Sequence, residues 1–306
     1  MRRLLAIASL GLLTFSVSES MFWGSWTAAY SGPDVVFTIL AYTIVVVAVL
    51  FCLERLRPAG RNGVFLGGAL LGWLVEGTIV ATTYEALPLS IAWTGLAWHA
   101  LLSVLGAWVV LPRILAMPLR PRIAALAAVG VAWGSWAAAM QADTGVLDAP
   151  LTFAAYVGLC TLGMGLGLAG WLRWRSDHLV PTWLGWSAFA MLAAAFVFQA
   201  IALPIALVVL PVLLGSALWA MKQRPAAAAA HLDPVAHSGH PRLMWLGLMP
   251  VAAWLCWLLV GPGIAPLAAP VIYILTNTAG LLLLGRALWQ ARPRRVSPVV
   301  SLPVEA

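Results

Sequence analysis

Long apolar runs alternate along the chain with short polar breaks. The runs are Leu4–Met21, Val35–Leu53, Val64–Thr83, Leu89–Leu111, Ile123–Met140, Leu151–Trp171, Trp183–Ile201, Pro204–Met221, Leu243–Val260 and Ala265–Leu288. Each is near the ~20 residues that a helix needs to cross roughly 30 Å of hydrocarbon. Helices are required because lipid satisfies no backbone polar group, and the period-two alternation of barrel strands is absent. The pattern predicts an all-α, polytopic membrane helix bundle of about ten transmembrane helices. The first run has a rival reading as a cleaved signal over residues 1–20, with Ser16-Val-Ser18 as the cleavage site. The internal repeat described below favours a retained helix.

Composition agrees: 63% of the 306 residues are hydrophobic and 9% are charged, too few polar groups to cover a soluble domain of this size. The net charge of +7 does not point to nucleic acid, because of where the charges fall. With a cytoplasmic N-terminus, all 17 Lys and Arg residues fall in inner loops and none in outer ones. The positive-inside rule then places both termini in the cytoplasm, in a bacterial inner (plasma) membrane. The outer face carries Glu19, Asp34, Glu85, Asp143 and Asp148, with Trp23, Trp26, Tyr30, Trp133 and Trp136 read as an interface belt. Cys52, Cys160 and Cys256 lie in or at the ends of apolar runs without metal spacing, as small packing residues.

Trp23-Gly-Ser-Trp26 recurs as Trp133-Gly-Ser-Trp136 and, more faintly, as Trp254-Leu-Cys-Trp257; Ala86–Trp93 matches Ala202–Val209. The spacing predicts a parallel 4+4+2 repeat: a four-helix unit over 1–113, a second over 114–222, a cytoplasmic linker over 223–241, a helical hairpin over 242–289 and a tail over 290–306. Linker residues His231, His237 and His240 match no defined metal spacing. Aligning the repeats puts Leu192 opposite Glu76 and Gly215 opposite His99. Scaffolding alone therefore does not explain the polar groups of the first unit.

Charge is expensive in hydrocarbon, so Gly72–His99 is the candidate site. Glu76 lies ~10 Å inside its predicted helix, and His99 ~15 Å deep on the next, in a stripe with Gly95, Ser103 and Gly106. Whether their faces meet stays open at this level. Thr83, near two helical turns from Glu76, shares its face; Thr78 and Thr82 fall on the opposite side and are read as bonded back to the helix. Glu76 and His99 are the candidate catalytic or proton-coupling pair. Thr83, Tyr84, Glu85, Trp93 and Trp98 are the candidate substrate-binding residues toward the outer mouth. Thr276-Asn277-Thr278 is a second polar cluster, expected to join helices.

The WGSW segments resemble the tryptophan-rich outer-face motif of cytochrome c maturation haem handlers. That family places axial histidines around the motif, and this chain has one intramembrane histidine, so the likeness is set aside. The Glu76 helix followed by Tyr84 and by Pro88–Trp93, PLSIAW, is similar to membrane carotenoid hydratases over about twenty residues. The glycine- and phenylalanine-rich part of that pattern is missing; the likeness implies chemistry on an apolar substrate.

There is no Walker loop, HExxH, GxSxG or paired Asp-rich motif, and no cofactor or metal is expected. The leading expectation is a transporter or permease-like protein. The alternative is an intramembrane enzyme using Glu76 and His99 on a lipid, isoprenoid or other apolar substrate, and the second is a non-catalytic assembly protein. The expected partners are membrane lipids and a small or apolar substrate, with no nucleic acid and an open oligomeric state.

Overall fold

The computed structural model describes residues 1–25, 32–145, 147–175, 180–223 and 242–292, and of 261–268 the backbone alone. Trp26, Tyr30, residues 224–241 of the predicted linker with its three histidines, and the tail beyond Arg292 lie outside the described residues. The described residues form helices and no strand. Ten segments are long and apolar enough to cross a membrane, as in a multi-pass membrane protein. They are α1 Arg2–Trp23, α2 Gly32–Leu56, α3 Gly60–Ile79, α4 Ser90–Ala116, α5 Leu119–Thr144, α6 Pro150–Trp174, α7 Thr182–Ala202, α8 Ala206–Gln223, α9 Leu243–Val260 and α10 Ala269–Ala291. The predicted third run ends four residues later than α3, and that difference matters below. α3 is the most enclosed helix, and α7, α9 and α10 bury the smallest share of their length, as lipid-facing helices do.

α9 and α10 follow one another within one helical segment, Leu248–Ala291, yet they run in opposite senses. Arg122 lies over Trp245, and Asn62 donates to Gln290 at 2.7 Å, at one end of the bundle. Trp257 stacks on Phe153, and Tyr273 on Trp93, at the other. A straight 44-residue helix would span ~66 Å and could not make both sets of contacts. The chain therefore doubles back between Val260 and Ala269. With neighbouring helices alternating in this way, the described arginines and Lys222 gather at the first of these ends, here the basic end. Arg122 is buried there, its Nε donating to the Met117 carbonyl at 3.0 Å.

Without a hydrophobic drive between helices in lipid, small residues must supply close packing. Three glycine pairs at four-residue spacing do so: Gly68/Gly72 on α3 against α4, Gly130/Gly134 on α5 against α9, and Gly163/Gly167 on α6 against α1. A Cβ on Gly72 would stand 2.3 Å from the Gly95 carbonyl oxygen, and one on Gly134 2.2 Å from that of Ala253. Only hydrogen fits at either position.

Several expectations need correction. Trp133 and Trp136 are core residues, 1% and 2% exposed, not an interface belt; the Trp136 indole donates to the Phe22 carbonyl at 2.6 Å. Thr276 and Asn277 bond the Ile272 and Tyr273 carbonyls of their own helix rather than a neighbour. The two WGSW segments differ: Gly24 ends a helix at φ +68, whereas Gly134 sits inside one. This gives the proposed repeat no support.

Overpacking a seam costs about 1–3 kcal/mol. Gly134→Val should lower the thermal midpoint of the purified protein by several degrees, whereas Gly158→Val, with nothing within 4 Å, should leave it within about a degree. Differential scanning fluorimetry checks the contrast.

Candidate functional site

Three helices change pitch where they meet. π-helical turns, with i→i+5 hydrogen bonds, occupy Ser16–Ser20 of α1, Val75–Ile79 of α3 and Gly95–Val110 of α4. Such turns are rare and collect at functional sites. Here they carry Ser18, Glu19, Glu76, His99 and Ser103. In α4, the His99 amide donates five residues back to Thr94 at 2.9 Å.

The Gly68/Gly72 seam lets α3 and α4 approach until Glu76 and His99 touch: Nε2 of His99 is 2.7 Å from Oε1 of Glu76. The residues are 2% and 7% exposed. On the other side of the ring, Nδ1 is 3.1 Å from the Ser18 hydroxyl. Ser18 donates to Ser103 at 2.7 Å, and Ser103 to the Trp98 carbonyl at 3.3 Å. Each hydroxyl has one proton, and the carbonyl only accepts. The chain of donors therefore runs His99, Ser18, Ser103, Trp98, and Nδ1 must carry hydrogen. Nε2 is left either to donate to a Glu76 carboxylate or to accept from its carboxylic acid. The pair thus holds one mobile proton on a 2.7 Å line.

Thr82, and not Thr83 as expected, is the threonine that meets Glu76. α3 ends at Ile79; Ala81 follows in the left-handed region, φ 73, and Thr82–Tyr84 form a 3₁₀ turn. Helical phase does not continue through this break. Thr82 folds back and donates to Oε2 of Glu76. The Thr83 hydroxyl is buried without a hydrogen-bond partner, and its carbonyl accepts from Ser90 at 2.6 Å. Thr78 does bond back to the Leu74 carbonyl.

Tyr84 is also no part of the walls. Its hydroxyl donates to the Gly77 carbonyl at 2.8 Å, tying the turn to α3, and burial pushes the phenol up to about 12, so it stays protonated. Glu85 is exposed at the mouth, Trp93 stacks on Tyr273, and the buried Trp98 donates to the Val17 carbonyl at 3.0 Å.

Sequence reasoning left Ser18 out of the site and assigned Glu19 to the solvated outer face. The structure bonds Ser18 to His99 and places Glu19 in the wall of the same cavity as the pair. Oε1 of Glu19 accepts from the Tyr42 hydroxyl at 2.7 Å and Oε2 from the Trp23 indole at 2.9 Å. The Tyr42 ring lies 6.0 Å from the His99 ring. The available signal was Ser16-Val-Ser-Glu-Ser20, a polar run inside an apolar one.

A cavity of about 880 Å³ opens beside these groups. Ser18, Glu19, Tyr42, Glu76, Thr82, Glu85, Trp93, Trp98 and His99 line it, among many apolar residues. Its rim includes Phe37, Ile79, Val80 and Leu89, all apolar and all exposed. A smaller cavity of about 220 Å³ reaches Glu19 from between α1, α2 and α6.

No protein-family model, curated protein or solved structure matches this chain. Among the described residues, no three His, Cys, Asp or Glu side chains cluster to hold a metal.

Thr82→Val removes a donor from a buried carboxyl and should cost about 1–3 kcal/mol in urea or thermal unfolding. Thr83→Val deletes a hydroxyl that bonds nothing and should be neutral or stabilising; equal losses at both positions would contradict this assignment. In ¹⁵N-histidine spectra, with His99→Gln supplying the assignment, the His99 Nδ1 should resonate as a protonated nitrogen, and Ser18→Ala should shift it. An unprotonated Nδ1 would overturn the hydroxyl relay.

Proposed function

We propose that the protein is an intramembrane enzyme that performs acid–base chemistry on a lipid or another apolar molecule. Glu76 is the group that gives or takes the proton, and His99 is its partner. Ser18 and Ser103 are positioning residues that fix the imidazole. The observation that carries this reading is the mouth: exposed Phe37, Ile79, Val80 and Leu89 form its rim, and a buried carboxyl–imidazole pair lies behind them. A water-borne solute gains nothing from such a rim, whereas a molecule dissolved in the bilayer keeps apolar surface against it from start to finish.

A permease is the second reading, favoured by the size of the cavity. It calls for a second opening toward the basic end. There Ser103 and Thr14 are fully buried, Thr14 bonds the Leu10 carbonyl at 2.7 Å, and Trp108 donates to Thr14 at 3.0 Å. Transport would have to break this packing in each cycle.

The two readings separate in one pair of measurements. Membranes holding wild-type protein should show at least one lipid-extract species, by mass spectrometry, that differs from membranes holding Glu76→Gln at equal abundance. Reconstituted vesicles should show no solute flux driven by a pH gradient. Identical extracts together with Glu76-dependent flux would reverse the choice.

A further inference from the structure

We propose that the cavity takes a cationic amphiphile, an apolar chain ending in an ammonium-like centre, and that Glu19 holds the charge. This rests on the reading of the cavity as a site for apolar molecules and narrows it to one class.

The sign of the lining is the first reason. Glu19, Glu76 and Glu85 line the cavity, and among the described residues no Lys or Arg does. The imidazole of His99 is already set against Glu76. An anionic ligand would meet acidic side chains and, among the described lining residues, no Lys or Arg. A neutral hydrocarbon would need no carboxylate, and an acid in an apolar wall is costly to keep.

The build of the walls is the second. Phe22, Trp23, Phe37, Tyr42, Trp93 and Trp98 contribute six aromatic rings to the same surface. Aromatic rings attract cations, most of all where water is excluded. They also pack the chain that follows the charge.

Glu19 itself is the third. The Tyr42 hydroxyl and the Trp23 indole take one oxygen each, so the carboxylate is held in a fixed plane by two neutral donors. Both donors are neutral groups, and they orient its charge. In low dielectric, a positive centre reaching that carboxylate is bound more strongly than in water. The volume suits the proposal as well: at roughly 30 Å³ per water-sized group, about 880 Å³ accommodates a chain of a dozen or more carbons with its head.

The test is equilibrium binding of radiolabelled dodecyltrimethylammonium, well below its micellar concentration, to the full chain in lipid nanodiscs, with empty nanodiscs as background. Dodecanol and dodecyl sulfate compete as the neutral and anionic analogues of the same chain. The cation should bind at least about ten-fold tighter than dodecanol, and the sulfate should not displace it. Glu19→Gln should remove most of that preference, while Asp143→Asn, at an exposed acid that lines neither cavity, should retain it. Equal competition by all three would leave an apolar pocket and end the proposal of a charge-selective one. No saturable binding of any of the three would remove the apolar-ligand reading with it. Since the ligand series is first run on the wild type, the outcome does not depend on Glu19→Gln folding.

Discussion

One contact governs the rest: a carboxyl and an imidazole 2.7 Å apart with almost no exposed surface. Ionised or neutral, the two must match, because either one left charged alone would be a lone ion in a low-dielectric core. That requirement explains the saturation around them. His99 has a hydroxyl on one nitrogen and the acid on the other, and Glu76 has the imidazole on one oxygen and Thr82 on the other. A buried polar network is stable only when its members are satisfied, and this one is closed by a backbone carbonyl, that of Trp98.

Such a contact cannot form between helices held at ordinary separation. The Gly72–Gly95 crossing brings α3 and α4 together just ahead of Glu76 in the chain. The π turns then set the angular position of the side chains. Each shifts hydrogen bonding from i−4 to i−5, so the residues after it are rotated relative to a plain α-helix. Pro112, which has no N–H to give, stands just beyond the long π stretch of α4. The left-handed Ala81 supplies the last adjustment, stopping α3 so that Thr82 can turn back. Alanine in that conformation costs roughly 1–2 kcal/mol, which surrounding packing must offset.

The sequence made the bundle legible because hydrophobic length is a direct consequence of bilayer thickness. Ten apolar runs were marked by their own composition, and the helices match them to within about five residues, with α3 stopping four short. Glu76 and His99 stood out for the same reason, as polar groups where polar groups are expensive. What was hidden depended on departures from ideal periodicity. Thr83 was placed with Glu76 by counting 3.6 residues per turn through a segment that is no longer α-helical, and Thr82 was dismissed by the same count. Ser18 and Glu19 were hidden by sequence distance: His99 meets Ser18 across 81 residues, a pairing that no local pattern encodes. Tryptophans 133 and 136 misled in the opposite way, since an aromatic at a predicted helix end reads as interfacial even when a neighbouring helix covers it.

The distribution of polarity along the bundle normal bears most on function. The hydrogen-bonded polar cluster around Glu76 and His99 lies between the π turns and the end opposite the basic one, and beneath Ser103 the core is Thr14 bonded to its own helix, Trp108 and aliphatic packing. A machine that carries protons across a membrane needs titratable or hydroxyl groups that continue from one face to the other, or a motion that opens them. A site that exchanges a proton with a bound molecule needs them at one depth only. The cluster occupies one depth, opens through an apolar rim, and is fixed by hydrogen bonds on both sides of the imidazole. Preorganisation of that kind favours chemistry on a held ligand, because a group that must release and recapture cargo in two states gains little from being locked in one.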